Sequence, residues 1–279
     1  MKDYNCFKVL TEKNISHVIL NRPEKRNSMN LDFWNEFPEI VSRINQEGKT
    51  KAIVISSTGP HFCSGLDISL FQSDLFHMVK NESHKGILLM DYIQTLQDAL
   101  GVLQECRLPV ITAIQGGCIG GGLDLICASD IRLGTDDCYF SILETKLGLV
   151  ADVGTFPRLV KLIPDGLVRE LAFTGRKFEG PEALTSGFLN KIYPEQESML
   201  KAAFSLAETI AANAPLAVHG CKEAINFARD HAIADGLKWV KMWNSSMLNI
   251  KDIEEGFKAS ITKTQGAFTT LPQKITKIG

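Results

Sequence analysis

The stretch from Gly116 to Gly154 reads GGCIGGGLDLICASDIRLGTDDCYFSILETKLGLVADVG, and it constrains the chain more than any other. Its triple glycine, Gly120-Gly121-Gly122, lets the backbone turn tightly and approach a ligand closely before opening an apolar helix. The first N–H groups of such a helix have no partner within it and lie at the positive end of its dipole, so the turn is an anion site. A nucleotide phosphate does not fit the pattern, because there is no G-x-x-x-x-G-K-[ST] and no G-x-G-x-x-G between a strand and a helix. Three acids need explaining in these apolar surroundings: Asp124, then Glu144 twenty residues on, then Asp152 after eight more.

A second glycine turn, Ser64-Gly65-Leu66-Asp67, follows an apolar strand read at Ala52 to Ile55. It offers an unpaired N–H at Leu66. Two converging donors, Leu66 and Gly121, would form an oxyanion hole for a carbonyl that becomes an enolate, and one such donor typically contributes about 2.7 to 4 kcal/mol.

The remaining pattern alternates strand and helix. Ile15 to Leu20 is a β-branched strand closed by Asn21-Arg22-Pro23. Asn30 then caps a helix carrying Phe33, Trp34, Phe37, Ile40, Val41 and Ile44 at helical spacing, with a kink expected at Pro38. Leu70 to Gly86 has no firm period and reads as a mobile helix-loop over a pocket. Ile87 to Glu105 is a long helix, stopped by Leu108-Pro109 before a strand at Val110 to Ile114; Ile131 to Leu133 and Tyr139 to Ile142 are further strands. Such alternation predicts an α/β layered core.

Beyond Pro157 the pattern is almost wholly helical, with segments at 159–163, 168–173, 181–186, 199–212, 215–229 and 237–249. Trp239, Met242, Trp243 and Met247 add apolar surface that either contact between copies or core packing would use.

Composition narrows the partners. The chain has 279 residues, 44% of them hydrophobic, which suffices for a sizeable core. Thirty Lys and Arg against 32 Asp and Glu leave a net charge of -2, so neither nucleic acid nor an anionic membrane is expected as a partner. Seven cysteines, odd in number and never spaced C-x-x-C, read as reduced and mostly buried thiols. The six histidines lack ligand spacing, and no metal site is expected. No apolar run reaches the roughly eighteen residues that span a bilayer. The N-terminal MKDYNCFKVL carries no targeting signal and the C-terminal Lys277-Ile278-Gly279 is no peroxisomal address. The expected location is cytoplasmic, or the mitochondrial matrix or peroxisome for a processed eukaryotic chain.

Together, R-P-E-K-R-N-S-M-N at 22–30, S-G-L-D-I at 64–68 and G-G-C-I-G-G-G-L-D-L at 116–125 resemble the crotonase (enoyl-CoA hydratase/isomerase) superfamily. The resemblance extends from Val18 to about Ala259. It implies an α/β fold, the crotonase (ClpP-like) spiral of β-β-α units. A core over residues 1–200 would carry the acyl-CoA site, and a helical region over 201–279 would build homotrimers or homohexamers. It also implies that Ser64, Gly65, Leu66, Asp67, Ile68 and Gly121 bind an acyl-CoA thioester, its oxygen between the Leu66 and Gly121 N–H groups. Coenzyme A is then part of the substrate, and no further cofactor is implied.

Many reactions share this fold, so the acids decide among them. Hydratases of the family carry glutamates at both catalytic positions. Here the first is Asp124, one methylene shorter, the second is Glu144, and Asp152 stands where hydratases have a glycine-rich turn. This set is similar to the Δ3,5-Δ2,4-dienoyl-CoA isomerase branch. So are Gly148-Leu149-x-Ala151-Asp152-Val153-Gly154-Thr155, Leu31-x-Phe33-Trp34 and Trp243-Asn244-x-Ser246-Met247-Leu248. The branch implies an isomerase of fatty-acid β-oxidation that moves a proton from C2 to C6 of a 3,5-dienoyl-CoA. Glu144 would be the base at C2, Asp152 the acid at C6, and Asp124 would orient or tune Glu144. Base and acid can be exchanged without altering this reading, since the pair titrates together.

An enoyl-CoA hydratase is the nearest alternative, and a non-catalytic crotonase-like binding protein is another. Taken singly, Asp124 is also readable as an acid on a helix dipole, worth about 0.3 to 1 kcal/mol, and Glu144 and Asp152 as surface acids beside turns.

Overall fold

In the computed structural model, which describes residues 3–72 and 83–276, the alternation of strand and helix resolves into two sheets and their helical covers. The larger sheet has six strands in the order β1 (Phe7–Glu12), β2 (Ile15–Leu20), β3 (Ala52–Ser57), β4 (Val110–Ile114), β6 (Ile131–Thr135) and β9 (Lys191–Tyr193). β1 and β2 are antiparallel, and every other neighbouring pair is parallel. In the smaller sheet β7 (Tyr139–Ser141) lies between β5 (Gly117–Ile119), parallel to it, and β8 (Phe178–Glu179), antiparallel.

β3 and β4 are buried along their whole length because both faces are covered. Side chains alternate across a strand, so Ile53, Ile55, Val110 and Ile114 enter one core with Phe33, Phe37 and Ile40, whereas Ala52, Val54, Ile111 and Ala113 enter another. The second core is closed by Met199, Ala203 and Ala207 of helix α7 (Gln196–Ala211). The first is closed by α1 (Leu31–Glu47) and α2 (Lys85–Glu105).

Local energies account for α1. The Asn30 side chain accepts from the Phe33 N–H at 3.0 Å, a cap worth about 1 kcal/mol. Pro38 within the helix costs about 3 kcal/mol, yet the helix continues through it to Glu47. Phe33, Phe37, Ile40, Val41 and Ile44 are buried on one face, at about 1.5 to 3 kcal/mol each, and this outweighs the proline.

Several elements differ from the sequence reading. Residues 73–82 of the expected helix-loop lie outside the described residues; before them Ile68–Gln72 forms a single 3-10 turn. β1 and the three-residue β5 carry too short an apolar signal to be read, and β5 is hidden among the glycines. The region beyond Pro157 is not purely helical, because β8 and β9 interrupt it. The helices there are α4 (Thr155–Leu159), α5 (Asp165–Thr174), α6 (Gly180–Thr185), α7, α8 (Pro215–Asp230), α9 (Ile233–Met247) and α10 (Ile250–Thr262); the last was not anticipated.

The position between residues 200 and 201 falls inside α7. α8 is tied to the sheet layer by the buried Lys222, whose Nζ donates to Asp130 at 2.8 Å and to the Leu103 and Leu108 carbonyls at 2.8 and 3.0 Å. Part of the C-terminal aromatic surface is used within the chain. Trp239 stacks on Phe227 and Trp243, with centroids 5.8 and 5.2 Å away, while Ile233, Leu237, Met242, Phe257 and Ile261 stay exposed. Six of the seven cysteines are buried and Cys221 is exposed. Among the described residues no helix is long and apolar enough to cross a membrane.

Candidate active site

β5 is followed by Gly120, whose φ of 52° and ψ of −121° turn the chain directly into α3 (Gly121–Cys127). The Gly120 N–H is held by the Ser141 carbonyl at 3.1 Å. All seven residues of α3 are buried, and Gly120 before it is half-buried.

The Ser64 to Leu66 turn is laid against this helix start by a short parallel bridge: Cys63 N–H donates to Gly117 O at 3.2 Å, and Ile119 N–H donates to Cys63 O at 3.0 Å. Gly65 has φ 85°, and a Cβ there would meet the Ile119 carbonyl at 2.8 Å and the Gly121 nitrogen at 3.4 Å. Only glycine allows this approach. As a result, a Cβ built on Gly121 would lie 3.8 Å from the Leu66 nitrogen. Neither the Leu66 nor the Gly121 N–H finds an acceptor among the described residues. The two donors expected to converge are side by side and unused.

The segment 22–30 braces this pair. Ser64 N–H donates to Arg26 O, Met29 N–H to Gly65 O and Asp67 N–H to Met29 O, at 2.8 to 3.0 Å. The Asp67 carboxylate accepts from Ser28 Oγ at 2.8 Å and Ser69 Oγ at 2.8 Å and lies 3.5 Å from Arg22. Partial desolvation is outweighed by these hydrogen bonds and the Arg22 charge, so its pKa falls. Its carboxylate is thus engaged with the brace, and Ile68 is exposed beside it.

Three acids stand around the glycine turn. Asp124, in the first turn of α3, is 2% exposed; burial, opposed by hydrogen bonds from Thr155 and reinforced by the charges of Glu144 and Asp152, raises its pKa to about 7. Its Oδ1 accepts from both the N–H and the hydroxyl of Thr155, at 2.6 and 2.7 Å. Glu144 opens the turn Glu144–Leu147 after β7, and its Oε1 would lie 3.2 Å from a Cβ on Gly120. Its Oε2 is buried without a hydrogen-bond partner among the described residues, and burial together with the Asp152 charge raises its pKa. Asp152 lies exposed between buried Ala151 and Val153, and partial desolvation raises its pKa too.

Sequence reasoning gave no role to two neighbours. Thr155 could have been found, as a hydroxyl at a helix start just after Gly154. Gln97 on α2, which donates to the Asp152 carbonyl at 2.6 Å, leaves no sequence signal because its partner is 55 residues away. Among the described residues no group of three or more His, Cys, Asp or Glu side chains is placed to hold a metal ion.

A family model described as enoyl-CoA hydratase/isomerase matches residues 11–270. The chain belongs to the enoyl-CoA hydratase/isomerase family. Within that family it is 42% identical over 254 residues to the mitochondrial Δ3,5-Δ2,4-dienoyl-CoA isomerase of Rattus norvegicus, covering 90% of this chain and 78% of that protein. It is 36% identical over 281 residues to the peroxisomal Δ3,5-Δ2,4-dienoyl-CoA isomerase of Arabidopsis thaliana, covering 97% and 99%. Among solved structures, an enoyl-CoA hydratase from Bacillus anthracis superposes with a TM-score of 0.85 at 27% identity, covering 95% of this chain and 99% of that one. The crotonase fold expected from the glycine motifs is the fold of this family member.

Proposed function

We propose that this chain is an isomerase of fatty-acid β-oxidation that converts 3,5-dienoyl-CoA to 2,4-dienoyl-CoA. The observation that carries the reading is the third acid: Asp152 joins Asp124 and Glu144 at a site with two unused N–H donors. Relatives named for this reaction, at 36 to 42% identity over most of the chain, support it.

The thioester oxygen accepts from Leu66 and Gly121. That places C1 at the glycine turn and C2 beside Glu144, whose carboxyl rests on Gly120. Glu144 takes the C2 proton; the electrons of that C–H bond delocalise through C3 to C6 and onto the thioester oxygen. Asp152, farther along the loop, delivers a proton to C6, leaving double bonds at C2 and C4. Each turnover leaves Glu144 protonated and Asp152 ionised, and exchange with solvent resets both. Burial raises the pKa of both Glu144 and Asp152, and the charge of Asp152 adds to the rise at Glu144, so the pair favours one neutral and one ionised carboxyl. Asp124, fixed by Thr155, is coupled to the charge of Glu144, which adds to the burial that raises the Asp124 pKa.

The exposed apolar face of α9 and α10, with Ile233 85% and Ile261 81% exposed, is assigned to contact between copies of this chain in a homotrimer or homohexamer. The chain works where β-oxidation runs; the two relatives are mitochondrial and peroxisomal.

An ultraviolet assay tests the reaction. With a synthetic 3,5-dienoyl-CoA, absorbance of the conjugated 2,4-dienoyl product should grow, while a 2-enoyl-CoA should show little hydration. Rapid hydration without isomerisation would make the chain a hydratase.

A further inference from the structure

Asp152 is an exposed side chain on a loop, yet proton delivery to a carbon needs an acid held to within a fraction of an ångström. One direct hydrogen bond and the anchoring of its neighbours hold its backbone. Ala151 and Val153 are buried on either side, so the chain alternates in, out, in. Gln97 Nε2 donates to the Asp152 carbonyl at 2.6 Å. One face of α2 carries a second such contact seven residues on, where Gln104 Oε1 accepts from Arg158 Nε at 3.3 Å. From the other side, Thr155 is bonded to Asp124. The segment 152–158 is thereby gripped between α2 and α3, with Gln97 as the grip at the acid itself.

Nothing similar links Gln97 to the oxyanion pair or to Glu144, which are held by β5, β7 and the 22–30 brace. The geometry points to Gln97 as the positioning residue for the second proton transfer: it fixes Asp152 over C6 and has no part in proton removal at C2. This assignment rests on the proposed isomerase reading.

Gln97→Met keeps the length of the side chain and removes the donor. Isomerisation of a 3,5-dienoyl-CoA should lose about ten-fold in kcat with KM nearly unchanged, as expected for a small misplacement of a reacting group. Deuterium wash-in at C2 from D2O, which needs only Glu144 and the oxyanion donors, should stay within about two-fold of wild type. A loop merely destabilised would lower exchange and turnover together, and that parallel loss would overturn the assignment. Unchanged isomerisation would overturn it as well. A wild-type chain that exchanges C2 but never forms the conjugated product would overturn the isomerase reading and this inference with it, whereas an active wild type with an unaffected variant would overturn the inference alone.

Discussion

In the proposed site the oxyanion side is made of main chain, and the proton-transfer side is made of side chains. Leu66 and Gly121 would contribute N–H groups whose positions follow from Gly65, Gly120 and a strand bridge, in buried or half-buried backbone. Glu144 and Asp152 would contribute carboxyls on the segment 144–155, partly open to solvent, where Gln97 of α2 donates to the Asp152 carbonyl and Glu144 Oε2 has no hydrogen-bond partner among the described residues. Backbone donors tolerate any side chain that leaves the turn intact, so this half suits every reaction that passes through an enolate. Carboxyls can be added, shortened or moved one at a time, so this half decides which carbon receives the proton.

The sharpest way to break the comparison is to remove the two acids separately. Glu144→Gln should lower isomerisation by about two to four powers of ten and abolish C2 exchange along with it. Asp152→Asn should lower isomerisation as far while leaving C2 exchange close to wild type. Stopped-assay product analysis beside mass spectrometry of recovered substrate separates the two. If Asp152→Asn loses exchange and Glu144→Gln keeps it, the base and acid roles are reversed.

The main-chain half should respond differently. Gly65→Ala forces a Cβ to within 2.8 Å of the Ile119 carbonyl at a φ of 85°. The turn must shift and carry the Leu66 N–H out of the proposed oxyanion pair. Losing one such donor costs about 2.7 to 4 kcal/mol, or roughly two to three powers of ten in kcat. Exchange at C2 and isomerisation should fall in proportion, because both pass through the same enolate. A Gly65→Ala chain that isomerises normally would show that Leu66 is not a donor.

The same division explains what the sequence could reveal. Glycines that permit positive φ are visible as letters, so the turn at Gly120, the turn at Gly65 and the donor pair were legible, and the strands β3 and β4 announced themselves as β-branched runs. Asp124, Glu144 and Asp152 were legible as residues, because acids in apolar surroundings stand out. What held them was not. Thr155 to Asp124 and Gln97 to Asp152 span 31 and 55 residues, and no local period records such a pairing. β5 and β9 escaped because three residues carry little pattern of their own, although β7, equally short, was legible within the apolar run from Tyr139 to Ile142. The surplus apolar face of α9 and α10 was legible as composition, though which tryptophans it spared for packing on α8 was not.

The smallest effect lies where the halves meet, at the bond between Thr155 and Asp124. Burial raises the folded-state pKa of Asp124 from 3.8 to about 7. The folded chain thus keeps a proton that the unfolded chain has released, and the stability this contributes is whole below about pH 4 and is lost as pH rises through about 7. The Thr155 hydroxyl opposes the shift by donating to the ionised carboxylate at 2.7 Å. Thr155→Val removes that donor and keeps the shape, so the folded pKa climbs further and the alkaline loss deepens. A hydrogen bond to a charged group contributes about 1.5 to 3 kcal/mol. Urea denaturation should therefore show the variant destabilised by about that amount near pH 8.5 and by clearly less near pH 5, while Thr155→Ser follows wild type at both. An equal loss at the two pH values would mean that the hydroxyl steadies the start of α4 and leaves the charge of Asp124 alone.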